Sequence, residues 1–213
     1  MRFCYEMTAQ FDFFKPLSLT LIISFLCSCS LLGRIYEERT KLEIRLFRSG
    51  GLQIKDEKQI NQKQRGMIYT RFTDFFPNST EVRLYYKTVD GRRAKPSELE
   101  NGIPEGWILH VVYYKGLSMI EVYQKSGAID DYEKAFLMDF QRGQSFWTND
   151  SEEDQEEKTN CFAYDFIRDD KKAKVKINGK SSLLFFSTDF DRALAEAKKK
   201  ELEELAPDSI KGF

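Results

Sequence analysis

The side chains best suited to chemistry in this 213-residue chain are four cysteines and one histidine. Cys27 and Cys29 stand two apart in "SFLCSCSLLG" (residues 24–33), Cys4 precedes them, and Cys161 lies far downstream. Such a spacing suits half of a metal site, one end of a disulfide framework, or the processed end of a leader. A zinc site built on several histidines is excluded, because His110 has no second imidazole to join it. A nucleophile and base made of Cys161 and His110 is open in principle, yet nothing in the sequence places the two together. His110 sits mid-strand in "WILHVVYY", where a satisfied sheet-face histidine is the expectation. The G-x-S-x-G, G-x-G-x-x-G, Walker and H-E-x-x-H patterns do not occur, so neither a catalytic residue nor a cofactor is expected. The acidic run "NDSEEDQEEK" at 149–158 lacks the glycine and spaced ligands of an EF-hand, and reads as a solvated loop.

The two close cysteines take their meaning from what precedes them. Between Lys15 and Arg34 there is no charge, and "LSLTLIISFL" (17–26) is almost wholly apolar. A run of that length suits the core of a secretory signal better than a bilayer span, which needs about 20 residues. It ends in Leu26-Cys27-Ser28-Cys29, which resembles the lipobox of bacterial lipoprotein precursors. The resemblance covers the first thirty residues or so, with Leu26 and Ser28 as the recognised positions. It implies that Cys29 is acylated and becomes the mature N-terminus, residues 1–28 being removed. An uncleaved anchor helix using all of 16–33 is the competing reading, and a start at Met7 would give a leader of more ordinary length. Either way the rest is exported, to a bacterial cell envelope if the resemblance holds. Each buried methylene contributes about 0.8 kcal/mol, so several acyl chains would hold the protein firmly to its membrane. Residues 29–39 would be a short tether.

Removing the leader simplifies the rest. Net charge is −1 with or without residues 1–28, whose Arg2 and Lys15 balance Glu6 and Asp12, and no basic excess points to nucleic acid. Cys4 and Cys27 leave, Cys29 carries lipid, and Cys161 is left as a single thiol expected to be buried.

Residues 40–213 read as one α+β domain, with possible halves at 40–148 and 159–213. About seven or eight mostly antiparallel strands are expected, packed with two helices. Strands are expected at Thr40–Arg48, Met67–Phe76, Glu81–Val89, Cys161–Arg168, Ala173–Ile177 and Ser181–Ser187, with 49–66 a long loop or short exposed helix. "WILHVVYY" and "LSMIEVYQ" form a hairpin about Lys115-Gly116. Asp130 and Glu133 make a capping box for a helix near 130–141, with Tyr132, Phe136, Leu137 and Phe140 as its inner stripe and Gly143 as its stop. Thr188 is expected to cap a last helix near 189–205 whose inner face is Phe190, Leu194, Ala197 and Leu205. Both halves end in strands, a tight turn, a strand and a helix, which suggests a duplicated β-β-β-α unit.

Aromatics make up 14% of the chain, and Phe75-Phe76, Tyr85-Tyr86, Tyr113-Tyr114 and Phe185-Phe186 are adjacent pairs. Neighbours on a strand point to opposite faces, so both faces of the sheet must be covered, by the chain itself, a partner or an apolar ligand. The sequence therefore reads as a lipid-anchored, non-catalytic binding or scaffold domain whose partner is an envelope protein or an apolar ligand. A carrier would have an aromatic-lined cavity of a few hundred Å³. A scaffold would show an exposed patch, with Trp107, Tyr113, Tyr114 and Trp147 the candidate contacts. A hydrolase using Cys161 or an acid pair is the remaining alternative.

Overall fold

A computed structural model describes residues 34–100, 103–149, 160–205 and 207. Leu26 to Cys29, where the lipobox is expected, and nearly all of the acidic tract lie outside them. The described strands form a single eight-stranded antiparallel sheet in the order β1-β2-β3-β4-β8-β7-β6-β5. They are β1 (Leu52–Gln53), β2 (Thr80–Thr88), β3 (Gly106–Tyr114), β4 (Leu117–Lys125), β5 (Trp147–Asn149), β6 (Phe166–Arg168), β7 (Ala173–Asn178) and β8 (Ser182–Ser187). The helices are α1 (Arg39–Arg48), α2 (Glu57–Gln64), α3 (Pro96–Glu100), α4 (Asp131–Arg142) and α5 (Thr188–Leu205), with a 3₁₀ helix at Ile68–Phe75. The fold is α+β.

Register divides the side chains cleanly. Across β3, β4 and β8, His110 faces Val122, which faces Leu184, and Val112 faces Ile120, which faces Phe186. These lie on one face with Phe162, Tyr69, Phe190 and Leu194, so the 3₁₀ helix and α5 cover that side. Val111, Glu121, Phe185 and Val175 occupy the other face. Leu42 of α1, and Leu137 and Met138 of α4, pack there. Three of the four adjacent aromatic pairs split across the sheet: Tyr85, Tyr113 and Phe185 point to the α1/α4 side, and Tyr86, Tyr114 and Phe186 to the other, whereas Phe75 and Phe76, at the end of the 3₁₀ helix rather than on a strand, both pack on the same side. Lys115 and Gly116 both take positive φ (51° and 78°), the conformation that matches a two-residue turn to strand twist.

Two expected strands are helices. Thr40–Arg48 alternates, but Leu42 and Leu46 also satisfy the i,i+4 helical period, and the structure takes that option: Leu42 is buried, Leu46 packs beside it, and Ile44 is 52% exposed. Met67–Phe76 becomes the 3₁₀ helix, whose three-residue period aims Tyr69 and Phe72 at the core while the Thr70 and Thr73 hydroxyls donate to carbonyls three residues back. Cys161–Arg168 is a strand only from Phe166, since the N–H groups of Cys161 and Phe162 donate to the Asp191 carboxylate instead of a ladder. Residues 57–64 are the exposed short helix.

The α4 capping box forms as expected: the Glu133 N–H donates to the Asp130 side chain and the Asp130 N–H to Glu133. For α5 the cap is Ser187, whose hydroxyl accepts the Phe190 N–H at 3.2 Å, and the Thr188 hydroxyl is buried. Only Phe190 and Leu194 of its expected inner face are buried; Ala197 is exposed and Leu205 is 72% exposed, because α5 runs on past the sheet that would cover it. The two meanders do mirror each other in strand order. A two-fold axis relating antiparallel neighbours β4 and β8 would put both following helices on one face, whereas α4 and α5 lie on opposite faces. The repeated sequence order therefore does not produce a repeated three-dimensional unit.

Gly50 ends α1 with φ +87°, and a Cβ there would lie 2.2 Å from the Gly91 carbonyl oxygen. Gly50→Ala is expected to destabilise the fold by about 2 kcal/mol, combining backbone strain with that clash. Urea unfolding would measure it, and an unchanged midpoint would show that the 50/91 approach is not needed.

Candidate functional site

Between α1 and α4, over β2, β3 and β4, the sheet is not fully covered. The opening is a groove of about 640 Å³. Its floor comes from two rows of the register: Lys87 and Trp107 in one, and Tyr85, Leu109 and Tyr123 in the next. One wall is Arg45, Leu46 and Ser49 of α1, the other is Tyr132, Glu133, Phe136, Leu137 and Phe140 of α4, and the turn at 88–91 closes an end. The α4 stripe expected to face the core thus divides. Leu137 packs inward, while Tyr132 and Phe136 are 81% and 58% exposed along the groove. Phe136 stacks on Phe140 with centroids 5.9 Å apart.

Polar groups beneath the floor fix its rings. The Tyr123 hydroxyl donates to Glu121 Oε2 at 2.8 Å, and the Gln141 side-chain amide donates to the same oxygen at 2.6 Å. The Tyr85 hydroxyl donates to Glu43 at 2.8 Å and lies 3.2 Å from that of Tyr113. At the α1 end, Arg45 forms a 2.6 Å pair with Glu37, and the Arg34 guanidinium covers the outer ring of the wall, 3.1 Å from the Phe140 centroid.

Glu121 is wholly buried, and its Oε1 has no hydrogen-bond partner among the described residues. Burial is the main cause pushing its carboxyl pKa up, with the Glu37 charge adding to it and the Tyr123 hydroxyl and Arg45 opposing. An acid whose folded pKa is raised contributes stability below its unfolded pKa of about 4.3, and that contribution is lost as pH rises through the folded value. Glu121→Gln is therefore expected to stabilise the protein by about 1 kcal/mol at neutral pH and to lose this advantage in acid. Melting both proteins across the acid-to-neutral range tests this, and a constant difference would assign the carboxylate no role in the pH response.

Of the residues expected to bind, Trp107 lines the groove. Tyr113 lies buried on the same face beneath it, bonded to Tyr85. Tyr114 is on the opposite face against Phe190, with centroids 6.1 Å apart. Trp147 packs on Phe185 and donates its indole N–H to the Met138 carbonyl at 2.8 Å, outside the groove lining. Sequence reasoning missed the contribution of Tyr85, Tyr123, Tyr132, Phe136 and Phe140 to one surface. The i, i+4, i+8 stripe on α4 was the available signal.

His110 and Cys161 make no hydrogen bond to each other. The His110 Nδ1 shares a 2.8 Å bond with the Tyr69 hydroxyl, and burial pushes its pKa down to about 4. Cys161 is half-buried, and burial, then the Asp191 charge, push its thiol up to about 11. It is thus a protonated thiol at neutral pH. Among the described residues, no cluster of three or more His, Cys, Asp or Glu could hold a metal ion, and no helix is long and apolar enough to cross a membrane. The chain matches no family model, no curated protein and no solved structure.

Proposed function

We propose that the chain is a lipid-anchored envelope protein, held to a bacterial membrane through Cys29, whose exported, non-catalytic domain binds an apolar ligand in the groove between α1 and α4. The groove carries the reading. Its volume of about 640 Å³ suits a small molecule, and Trp107, Tyr85, Tyr123, Tyr132, Phe136 and Phe140 turn rings toward it. Of these, Tyr132 and Phe136 are exposed, and exposed rings are costly on a surface with nothing to meet, since large apolar patches mark sites of interaction. The anchor supports the same reading: about ten residues separate Cys29 from α1, a reach of at most about 35 Å, so the groove would work near the membrane. A lipid or similar molecule passing between membrane and domain fits that placement better than docking of another envelope protein, which would call for a flatter patch.

Native mass spectrometry of the protein extracted from its own membranes in mild detergent tests both parts. The expected species begins at Cys29, carries acyl chains and retains a further non-covalent mass. A lipidated chain without that mass would favour the scaffold reading, and a chain retaining residues 1–28 would replace the lipid anchor by a helix at 16–33.

A further inference from the structure

The charges around the groove name a ligand class, resting on the reading of the groove as a binding site. Four lining residues are ionic: Arg45, Lys87, Asp90 and Glu133. Three have their counter-ions. Arg45 is paired with Glu37 at 2.6 Å, Glu133 with Lys125 at 2.7 Å, and Asp90 with Arg92 at 3.4 Å, Arg92 itself being held mainly by Glu98 at 2.7 Å. Lys87 has no ion pair or hydrogen bond among the described residues. Its register partner is Trp107, and its ammonium lies beside Gly91, where a Cβ would be 3.9 Å from Nζ. One end of an otherwise aromatic slot therefore presents an ammonium with no ion-pair partner among the described residues, beside the cluster in which Asp90 and Glu98 share Arg92.

From that end the apolar wall runs in one direction. Lys125, in the Lys87 row, is bound to Glu133 in the first turn of α4, while Phe140 lies near the far end of that helix beside Arg34 and Arg45. Tyr132, Phe136 and Phe140 follow one another at single-turn intervals, about 12 Å overall. We infer that the groove takes a single-chain amphiphile with an anionic head: the head against Lys87 at the 88–91 turn, the alkyl chain along the α4 rings toward Phe140. A neutral or cationic head would leave the Lys87 charge unanswered at the edge of an apolar site, where charge complementarity decides between otherwise similar ligands.

Calorimetric titration of the full processed protein with two probes of equal chain length, dodecanoate and dodecyltrimethylammonium, both below their micellar concentrations, tests this. Dodecanoate is expected to bind at least tenfold more tightly, with the gap narrowing as salt is raised. Lys87→Met should remove the preference, and Lys87→Arg should keep it. Equal affinities in the wild-type protein, or a preference that survives Lys87→Met, would overturn the head-group assignment while leaving the groove as an apolar site. If neither probe binds, the groove reading fails and the head-group assignment fails with it.

Discussion

Alanine at both Tyr132 and Phe136 is expected to weaken dodecanoate binding about a hundredfold while changing the unfolding free energy by less than about 1 kcal/mol. The two halves of that expectation have different origins. Both rings are largely exposed along the groove, so truncating them opens no cavity. What the fold loses is the Phe136–Phe140 stacking, worth about 0.5–1 kcal/mol, and alanine's better helix propensity offsets part of it. A bound alkyl chain, by contrast, would cover both rings. At roughly 25 cal/mol per Å² of apolar surface, two half-covered rings contribute on the order of 3 kcal/mol, about two decades of affinity. Thermal melting and calorimetry on the same samples separate the terms. A fall of several kcal/mol in stability would mean the rings belong to the core after all. Unchanged affinity in a stable variant would move the ligand off this wall.

That division within a single stripe explains how much of the molecule was legible beforehand. The hairpin β3–β4, the strands β7 and β8 and the capping box of α4 all rest on local signals: β-rich runs, a Lys-Gly turn, and Asp130 paired with Glu133. Thr40–Arg48 is ambiguous in sequence because Leu42 and Leu46 fit a period of two and a period of four equally well. Only the sheet face that receives Leu42 breaks the tie. The groove was half legible. Adjacent aromatics required cover on both faces, and Trp107 stood out. Whether the rings of α4 meet the sheet or solvent, however, depends on how far α1 and α4 stand apart, which no local pattern encodes. The freedom of Lys87 is more hidden still: it follows from Arg92 and Lys125 having taken the nearby carboxylates.

The position of α4, and so the width of the groove, depends on one buried cation. Arg168 on β6 is 1% exposed at its side chain; its Nε and Nη2 donate to Asp170 at 2.8 Å each, and Nη1 donates to the Gln141 carbonyl at 3.2 Å. Gln141 lies in the last turn of α4, where carbonyls have no intrahelical donor. Its side chain also holds Glu121 beneath the groove floor. A single guanidinium therefore joins β6, next to the far sheet edge, to the end of the wall helix and the polar layer under Tyr123. Arg168→Met keeps much of the volume but strips three donors from buried or half-buried acceptors. The expected cost is about 3 kcal/mol, near the lower end for breaking a buried pair because Asp170 keeps some contact with water, and it would lower the melting temperature by roughly 6–12 °C. Arg168→Lys retains the charge but lacks the fork that reaches both Asp170 oxygens, so it should recover only part of this. The sign of the pH effect follows from Asp170. Its carboxyl pKa is lowered, because hydrogen bonds from Arg168 and the Lys172 N–H and the nearby charges outweigh the opposing effect of burial. A depressed acid contributes stability above its unfolded pKa of about 3.9, lost as pH falls through the folded value. The gap between wild type and Arg168→Met should then be widest at neutral pH and shrink in acid. If the variant instead melts normally but loses dodecanoate, Arg168 sets the seating of α4 without supporting the fold; if it melts low and still binds, the groove keeps its shape without the tie.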